Sequence, residues 1–148
     1  MRKFEICSGY EGKAILPKRY TKDSCGYDIS FVLENTVIIE PFEVKLFETG
    51  IKAKFQSDEA LLIYPRSSTG IKKNLLLANG TCVIDPSYYN NENNEGNIIL
   101  AFRNVSNNKV ILEKGEQRLV QGIFTKYFTV TDEEMPIKKR SGGIGSTN

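Results

Sequence analysis

Two short polar blocks of this sequence come directly after apolar runs. Pro65-Arg66-Ser67-Ser68 follows the run 60–64, and Asp85 follows Val83-Ile84. Arginine and hydroxyl groups at a strand end suit an oxyanion or a phosphate, whereas a carboxylate there can act as a general base on water. Tyr88 adds a flat apolar face with a polar tip, which suits a sugar or a base. Each block by itself also fits an ordinary polar turn.

Three further features are candidates for the same chemistry. Asp28 follows Gly26 at the start of a strand-like run and either holds a metal ion through water or caps a turn. Gln121 lies in another such run and either donates to a phosphate oxygen or is an ordinary edge-strand residue. The segment 140–148 combines an arginine, three hydroxyl side chains and three glycines, whose backbone N–H groups can converge on an anion. A frayed terminus is the alternative for it.

The composition limits what these residues can do. The chain has no histidine, which excludes Ser-His-Asp and Cys-His catalysis and most zinc chemistry. A base must then be a carboxylate, Lys, Tyr or Cys, and a metal ion must be a hard one held by oxygen. With 20 Lys plus Arg against 18 Asp plus Glu, we expect no nonspecific binding of nucleic acid or membrane.

Several features favour a cytoplasmic protein. The sequence has no apolar run near the ~20 residues of a membrane span and no apolar stretch typical of a signal peptide at its start. Its three cysteines are an odd number without a Cys-x-x-Cys pair, which favours reduced thiols in a reducing compartment.

Short strand-like runs must position the candidate residues. They lie at 36–40, 44–49, 51–55, 60–64, 97–102, 110–112 and 119–130, separated by clusters of Gly, Pro, Asn and Asp. This spacing predicts one all-β domain, a sandwich or barrel, over residues 1–130. A short helix is predicted only at 71–77, and the polar run 89–95 predicts a solvated hairpin tip. Residues 131–148 lack a core-forming pattern and fit either an arm that lies on a neighbouring subunit or a flexible tail.

Taken together, the blocks resemble the five motifs of the trimeric dUTP pyrophosphatases (dUTPases), in the same order. The resemblance covers about residues 13–148 and rests on five segments in order at suitable spacing. They are Ser24–Ile29, Pro65–Ser68, Asn79–Tyr88, Arg118–Gln121 and Arg140–Asn148.

The resemblance implies a jelly-roll-like β fold, a homotrimer with active sites between subunits, and arm exchange. It implies that dUTP is hydrolysed to dUMP and pyrophosphate with Mg²⁺, which limits uracil incorporation into DNA and supplies dUMP for thymidylate synthesis. Asp85 would activate the water that attacks the α-phosphorus, Tyr88 would exclude a 2′-hydroxyl, and Asp28 would hold Mg²⁺ through water.

The remaining site residues implied by the resemblance bind the substrate. Uracil would be read by Asn79, Gly80 and Val83, and phosphates would be bound by Arg66, Ser67, Ser68 and Gln121. The arm would close over the nucleotide with Arg140, Gly143, Ile144, Gly145, Ser146 and Thr147.

The sequence departs from the family pattern at four places. Cys82 replaces a usual glycine, seven residues separate Tyr88 from Gly96 instead of one, and Gly115-Glu116-Gln117-Arg118 has one residue more than usual. The fifth motif is one residue shorter, and Ile144 replaces the phenylalanine that would stack on uracil. We therefore expect the arm to hold the triphosphate more than the base.

Two alternatives to a dUTPase remain open. The related dCTP deaminases share the fold and an Arg-Ser-Ser element, but they have an arginine where this chain has Ile71 and a catalytic glutamate where it has Ala101. A nucleotide-responsive regulator of the kind found among phage dUTPases is the other. The segment 89–95 would then be the surface for a protein partner.

Overall fold

The chain forms eleven β-strands and one short helix in a computed structural model that describes residues 1–134 and 142–143. The strands are β1 (Lys3–Ile6), β2 (Tyr27–Leu33), β3 (Val37–Ile39), β4 (Val44–Glu48), β5 (Ile51–Lys54), β6 (Glu59–Pro65), β7 (Leu75–Leu77), β8 (Cys82–Ile84), β9 (Ile99–Asn104), β10 (Val110–Leu112) and β11 (Gly115–Lys126). The helix α1 spans Ser67–Lys73, and a 3₁₀ turn spans Pro86–Tyr88. The predicted all-β class is confirmed.

All of the strand pairs are antiparallel. A four-stranded sheet has the order β2-β11-β6-β8, and a three-stranded sheet has the order β4-β9-β7. Two pairs, β1-β5 and β3-β10, complete the fold. Because β11 lies between β2 and β6, the chain regions around Asp28, Arg66 and Gln121 are brought to one part of the larger sheet.

One apolar core lies between the two larger sheets. Phe31 of β2 stacks on Phe47 of β4 with ring centroids 4.6 Å apart, and Phe102 of β9 packs against both rings. Ile63 of β6 is completely buried in the same cluster. Each such side chain stabilises the fold by roughly 1.5–3 kcal/mol through burial, so this core holds the strand ends in fixed positions.

The predicted helix at 71–77 is wrong in position. The helix ends at Lys73 because Asn74 takes a left-handed conformation with φ 54°, and its N–H donates to the carbonyls of Thr69 and Gly70. The leucines that follow form β7, where Leu75 and Leu77 are buried and Leu76 is exposed. This alternation of buried and exposed residues is typical of a strand. The sequence did not indicate it, because three consecutive leucines show no alternation of polar and apolar residues.

The segment 89–95 is not the solvated hairpin tip that its composition suggested. Asn91 is only 7% exposed, and its side-chain amide donates to the carbonyl of Tyr88. Glu95 accepts from both the backbone N–H and the hydroxyl of Ser8. The polar side chains of this segment therefore bind the protein's own backbone and neighbouring loops. Among the described residues, no helix has the length and apolar character needed to cross a membrane.

Candidate active site

Arg66 lies where β6 ends, and Asp28 holds its guanidinium. Arg66 Nε is 3.3 Å from Asp28 Oδ2, and Arg118 Nε lies 3.7 Å from the same oxygen. The guanidinium of Arg118 also covers the ring of Tyr20 at 4.3 Å from its centroid. One carboxylate thus orients two arginines, and the pair of cations forms a site suited to phosphate.

A β-bulge in β11 gives Arg66 its second anchor. Gln117 pairs with Phe31, but Val120 pairs with Ile29, so three residue steps of β11 match two steps of β2. The Arg118 carbonyl, at the bulge, accepts from Arg66 Nη1 at 3.1 Å. The bulge therefore helps to position the arginine.

The hydroxyl residues after Arg66 begin α1. Ser67 is exposed and Ser68 is half-buried, whereas Thr69 is fully buried and donates to the carbonyl of Leu119 at 2.6 Å. The backbone N–H of Arg66 donates to the same carbonyl at 2.9 Å. Thr69 therefore anchors the turn, and the two serines are left at its surface to meet a ligand.

Gln121 faces Asp28 directly across β11 and β2, as the strand register shows. Gly26 lies against this side chain, because a Cβ placed on Gly26 would be only 2.5 Å from Gln121 Oε1. These residues line a cavity of about 400 Å³ with Tyr20, Arg66 and Ser67. The structure therefore brings together the predicted metal residue Asp28 and the predicted phosphate residues Arg66, Ser67 and Gln121.

A second cavity, of about 230 Å³, lies beside Tyr88 and is lined mainly by apolar side chains. Its lining comprises Asn79, Cys82, Val83, Ile84, Tyr88, Ile99, Ala101 and Gly143. The β8 residues of this lining belong to an edge strand, because among the described residues β8 pairs only with β6. One side of the β8 backbone is thus left for a ligand with hydrogen-bonding edges.

Tyr88 is held firmly in this second cavity. Its ring is 6% exposed, and its hydroxyl donates to the carbonyl of Asn97 at 2.8 Å. Asp85 comes three residues earlier and is half-buried at the end of β8. Gly80, with φ 75°, forms the turn before β8 together with Asn79. The residues predicted to act as the general base (Asp85), to contact the sugar (Tyr88) and to read uracil (Asn79 and Gly80) therefore lie together.

Cys82, which replaces a glycine of the family pattern, points inward from β8. The side chain is 8% exposed, and burial raises the pKa of its thiol. A raised pKa keeps the thiol protonated, so Cys82 acts as a small apolar residue in the cavity wall and not as a nucleophile.

One described residue of the carboxyl-terminal segment, Gly143, lines the second cavity. Gly143 lies over Tyr88, where a Cβ would be 3.1 Å from the hydroxyl oxygen, and Gly142 packs against Asn93. The other predicted substrate-binding residues of this segment, Arg140, Ile144, Gly145, Ser146 and Thr147, lie outside the described residues.

The two cavities are separate within one chain. Leu61 of β6 pairs with Ile84, next to Asp85, whereas Pro65 of the same strand precedes Arg66. Four residue steps along β6 separate Leu61 from Pro65, about 13 Å of strand. Within the part of the chain that the structure describes, the two cavities also have no lining residue in common. One copy of the chain therefore presents the phosphate residues and the general-base candidate at different places.

Sequence reasoning gave no role to Arg118, Tyr20 or Asn94. Arg118 was part of a quoted motif, but only the fold shows that it shares Asp28 with Arg66. Tyr20 stacks under Arg118 from a loop whose sequence carries no distinguishing pattern. Asn94 donates to the hydroxyl of Tyr88 at 2.8 Å from a segment that composition alone marked as solvated.

Comparison with known proteins places these residues in a family. The sequence model of the dUTPase family matches residues 12–148, nearly the whole chain. The chain belongs to the dUTPase family. Its resemblance to that family is thereby confirmed, and the five motif segments all fall within the matched region.

Individual relatives agree with the family match. A deoxyuridine 5′-triphosphate nucleotidohydrolase of Lactococcus lactis is 44% identical over 149 residues, covering 99% of this chain and 97% of its own. The crystal structure of the dUTPase from Streptococcus mutans superposes with a TM-score of 0.78 at 41% identity. It covers 86% of this chain and 98% of its own.

More distant structures share the fold alone. A mutant dUTPase from phage phi11 of S. aureus, described with a structural Mg(II) ion, has a TM-score of 0.71 at 19% identity. It covers 91% of this chain and 96% of its own. The fold is therefore the jelly-roll type of the trimeric dUTPases, as the sequence analysis predicted.

Proposed function

We propose that this protein is a dUTP diphosphatase, which hydrolyses dUTP to dUMP and pyrophosphate. The observation that carries the proposal is that Asp85 directly follows Ile84, a residue of the Tyr88-lined cavity, in a chain of this family that has no histidine. The reaction needs one base to place and deprotonate one water for in-line attack on the α-phosphorus, and no covalent intermediate. A carboxylate suffices for this. The reaction lowers the supply of uracil for DNA and supplies dUMP for thymidylate synthesis.

Uracil is read in the cavity beside β8. The edge of that strand offers backbone donors and acceptors, and Asn79 and Gly80 form the turn at its entrance. A polar edge of this kind distinguishes uracil from cytosine by the direction of its hydrogen bonds, which an apolar pocket cannot do. Val83, 55% exposed, is available for contact with the base. The ring of Tyr88 packs against the deoxyribose and leaves no room for a 2′-hydroxyl.

The triphosphate is held by the cluster around Asp28. Arg66 and Gln121 bind phosphate oxygens, and the hydroxyls of Ser67 and Ser68 add donors at the same turn. Charge that moves onto the leaving pyrophosphate is stabilised by the arginine in a site built before the substrate arrives. The Asp28 carboxylate fixes the guanidinium and thereby reduces the reorganisation needed during the reaction.

Mg²⁺ fits this cluster through water and phosphate, not through a protein cage. Among the described residues, no group of three or more acidic, Cys or His side chains could hold a metal ion. Mg²⁺ keeps several waters and commonly uses one or two carboxylates together with substrate phosphates, so Asp28 as the single carboxylate is an adequate partner. When bound, the ion neutralises phosphate charge.

In a homotrimer, the Arg66 cavity of one subunit and the Tyr88 cavity of another form one site. The α-phosphorus must lie close to the water held by Asp85, while Arg66 belongs to the other end of β6. A site formed between copies removes this separation. An exposed apolar face supports such an assembly, because Val44, Leu46 and Leu76 are 45–56% exposed on the outer side of β4-β9-β7. Ala101, on the same side of β9, lines the Tyr88 cavity.

Residues 131–148 form an arm that covers the site of a neighbouring subunit. The contact of Gly143 with Tyr88 supports a position of the arm over the nucleotide. Every copy presents the same surface, so exchange between subunits preserves this contact, as in domain swapping. Arg140, Ser146 and Thr147 then hold the triphosphate, and Ile144 gives only apolar contact to uracil. The three free thiols are consistent with a cytoplasmic location.

A panel of nucleotides tests the proposal. Pyrophosphate release is measured with dUTP, dTTP, dCTP and UTP, and ammonia release is measured with dCTP. The expected result is turnover of dUTP alone, whereas ammonia from dCTP would favour the deaminase alternative. Asp85→Asn should keep dUTP binding and lose most hydrolysis, since an oxygen ligand remains while the base is gone. Hydrolysis at the parental rate by this variant would refute the role of Asp85.

A further inference from the structure

The seven residues between Tyr88 and Gly96 form a closed cap. The backbone N–H of Asn90 donates to the carbonyl of Glu95 at 2.9 Å, and that of Glu95 donates to the carbonyl of Asn91 at 3.0 Å. Asn90 and Glu95 both take left-handed conformations, with φ 54° and 58°. These conformations turn the segment back on itself, so its end returns to Tyr88, where it began.

Asn91 sets the position of Asn94 within this cap. Its side-chain oxygen accepts from the backbone N–H groups of Asn93 and Asn94 at 3.1 and 3.2 Å. Its amide nitrogen donates to Asn94 Oδ1 at 2.8 Å. Asn94 Oδ1 also accepts from the backbone N–H of Gly96 at 3.1 Å. With its oxygen fixed from two sides, the amide nitrogen of Asn94 has one direction in which to point.

The amide nitrogen of Asn94 points to Tyr88. Asn94 Nδ2 donates to the Tyr88 hydroxyl oxygen at 2.8 Å and to the Asn97 carbonyl at 3.2 Å. The same hydroxyl donates to the Asn97 carbonyl, so it both accepts and donates. Asn97 is 5% exposed and is tied to the body of the protein, where its Oδ1 accepts from the backbone N–H of Gly50. The ring of Tyr88 is thereby fixed at its tip as well as at its backbone.

We propose that Asn94, set by Asn91, is a positioning residue that holds the Tyr88 ring against the deoxyribose, so that the segment 89–95 contributes to selection of the 2′-deoxy sugar. This inference rests on the proposed function. A ring excludes one additional oxygen only if it cannot swing away, and a hydrogen bond at its tip resists that swing. Asn94 acts through Tyr88 and has no assigned contact with the substrate.

Four variants test the inference through the ratio of kcat/KM for dUTP to kcat/KM for UTP. Asn94→Ala should lower this ratio about 3- to 10-fold, the effect of one net hydrogen bond. Tyr88→Phe removes the hydroxyl and leaves the cap's own hydrogen bonds intact, so it should lower the ratio similarly. In the double variant, Asn94→Ala should change the ratio no further. Glu92→Ala, an exposed position of the same cap, is the matched control and should keep the parental ratio.

The outcomes separate the inference from the function on which it rests. A parent protein that does not hydrolyse dUTP would overturn the proposed function. An active parent whose Asn94→Ala variant keeps the full ratio would overturn only the positioning role. Additive effects in the double variant would overturn it too, because they would mean that Asn94 acts independently of the Tyr88 hydroxyl. If Asn94→Ala disrupts the cap, an unchanged ratio in Tyr88→Phe would still refute the inference.

Discussion

Asp85 and Arg66 lie beyond opposite ends of one paired stretch of β6. Ile84, directly before Asp85, pairs with Leu61, while Arg66 follows Pro65 at the end of the same strand. Asp85, the proposed general base, and Arg66, proposed to bind phosphate, therefore lie at different parts of the surface of a single copy. A site that needs both residues is most simply completed by a second copy of the chain.

Mixed trimers test this arrangement directly. Asp85→Asn chains and Arg66→Ala chains should each be nearly inactive alone, since one lacks the base and the other lacks a phosphate ligand. After refolding or co-expression together, sites that take Asp85 from one chain and Arg66 from the other are intact, and dUTP hydrolysis should return to a sizeable fraction of the parental rate. No recovery in verified mixed trimers would place both residues in the site of one chain.

Deletion of residues 140–148 should reduce dUTP turnover severely, by about 100-fold or more, and leave the trimer assembled. We expect this because the proposed arm would supply charge and exclude water in the closed complex, while the described part of the chain contains the core. Steady-state kinetics and light scattering measure the two properties. A truncated protein with full activity would refute the lid.

The subunit that the arm covers can be determined with the same kind of mixture. Asp85→Asn chains with intact arms are combined with deleted chains that retain Asp85. If the arm reaches a neighbour, as we propose, some sites contain both Asp85 from a deleted chain and the arm from an Asp85→Asn chain, and activity returns. If each arm covers its own Tyr88 cavity, no site contains both Asp85 and an arm, and the mixture stays inactive.

Gly26→Ala should lower turnover about 10-fold with little change in the melting temperature. The added Cβ would lie 2.5 Å from Gln121 Oε1 and 3.2 Å from Gln121 Cβ, so the Gln121 side chain must leave its place beside Asp28. A misplaced phosphate ligand reduces the rate strongly even when the fold is intact. Gly70→Ala, in α1, is the control. Its Cβ would make only ordinary contacts, and alanine favours the helix. Equal activity of both variants would contradict the role of Gln121.

Glu95→Gln should destabilise the protein in a pH-dependent way. The Ser8 hydroxyl and backbone N–H, with Lys52, lower the pKa of Glu95 from 4.5 to about 2. Because the folded pKa is the lower one, the charged side chain stabilises the fold above pH 4.5, and this contribution is lost between pH 4.5 and 2. The melting temperatures of parent and variant should therefore differ at about pH 6–7 and converge toward about pH 2. Glu92→Gln, on the exposed side of the cap, should show no such trend. A difference in melting temperature between the parent and Glu95→Gln that does not change with pH would contradict the stabilising role of the charged Glu95 side chain.

The sequence by itself determined the fold class, the family and the identity of most site residues. Period-two runs between Gly, Pro and Asn clusters predict strands because side chains alternate across a sheet, and the run 110–112 matches β10 to the residue. Four of the five motif segments contain the candidate site residues Asp85, Tyr88, Arg66, Gln121 and Asp28, which the resemblance to the family singled out. Motifs of this kind are short and local, so they can be recognised in order along the sequence.

Only the tertiary structure decided how these residues meet. The leucines of β7 were predicted as helix because a run of three apolar residues has no period, and burial against the core resolved it. The bulge at Arg118 and the cap at 89–95 have polar partners that lie far away in sequence, at Asp28, Arg66 and Ser8. The separation of Asp85 from Arg66 is likewise a matter of strand register, which pairs residues without regard to their order in the chain.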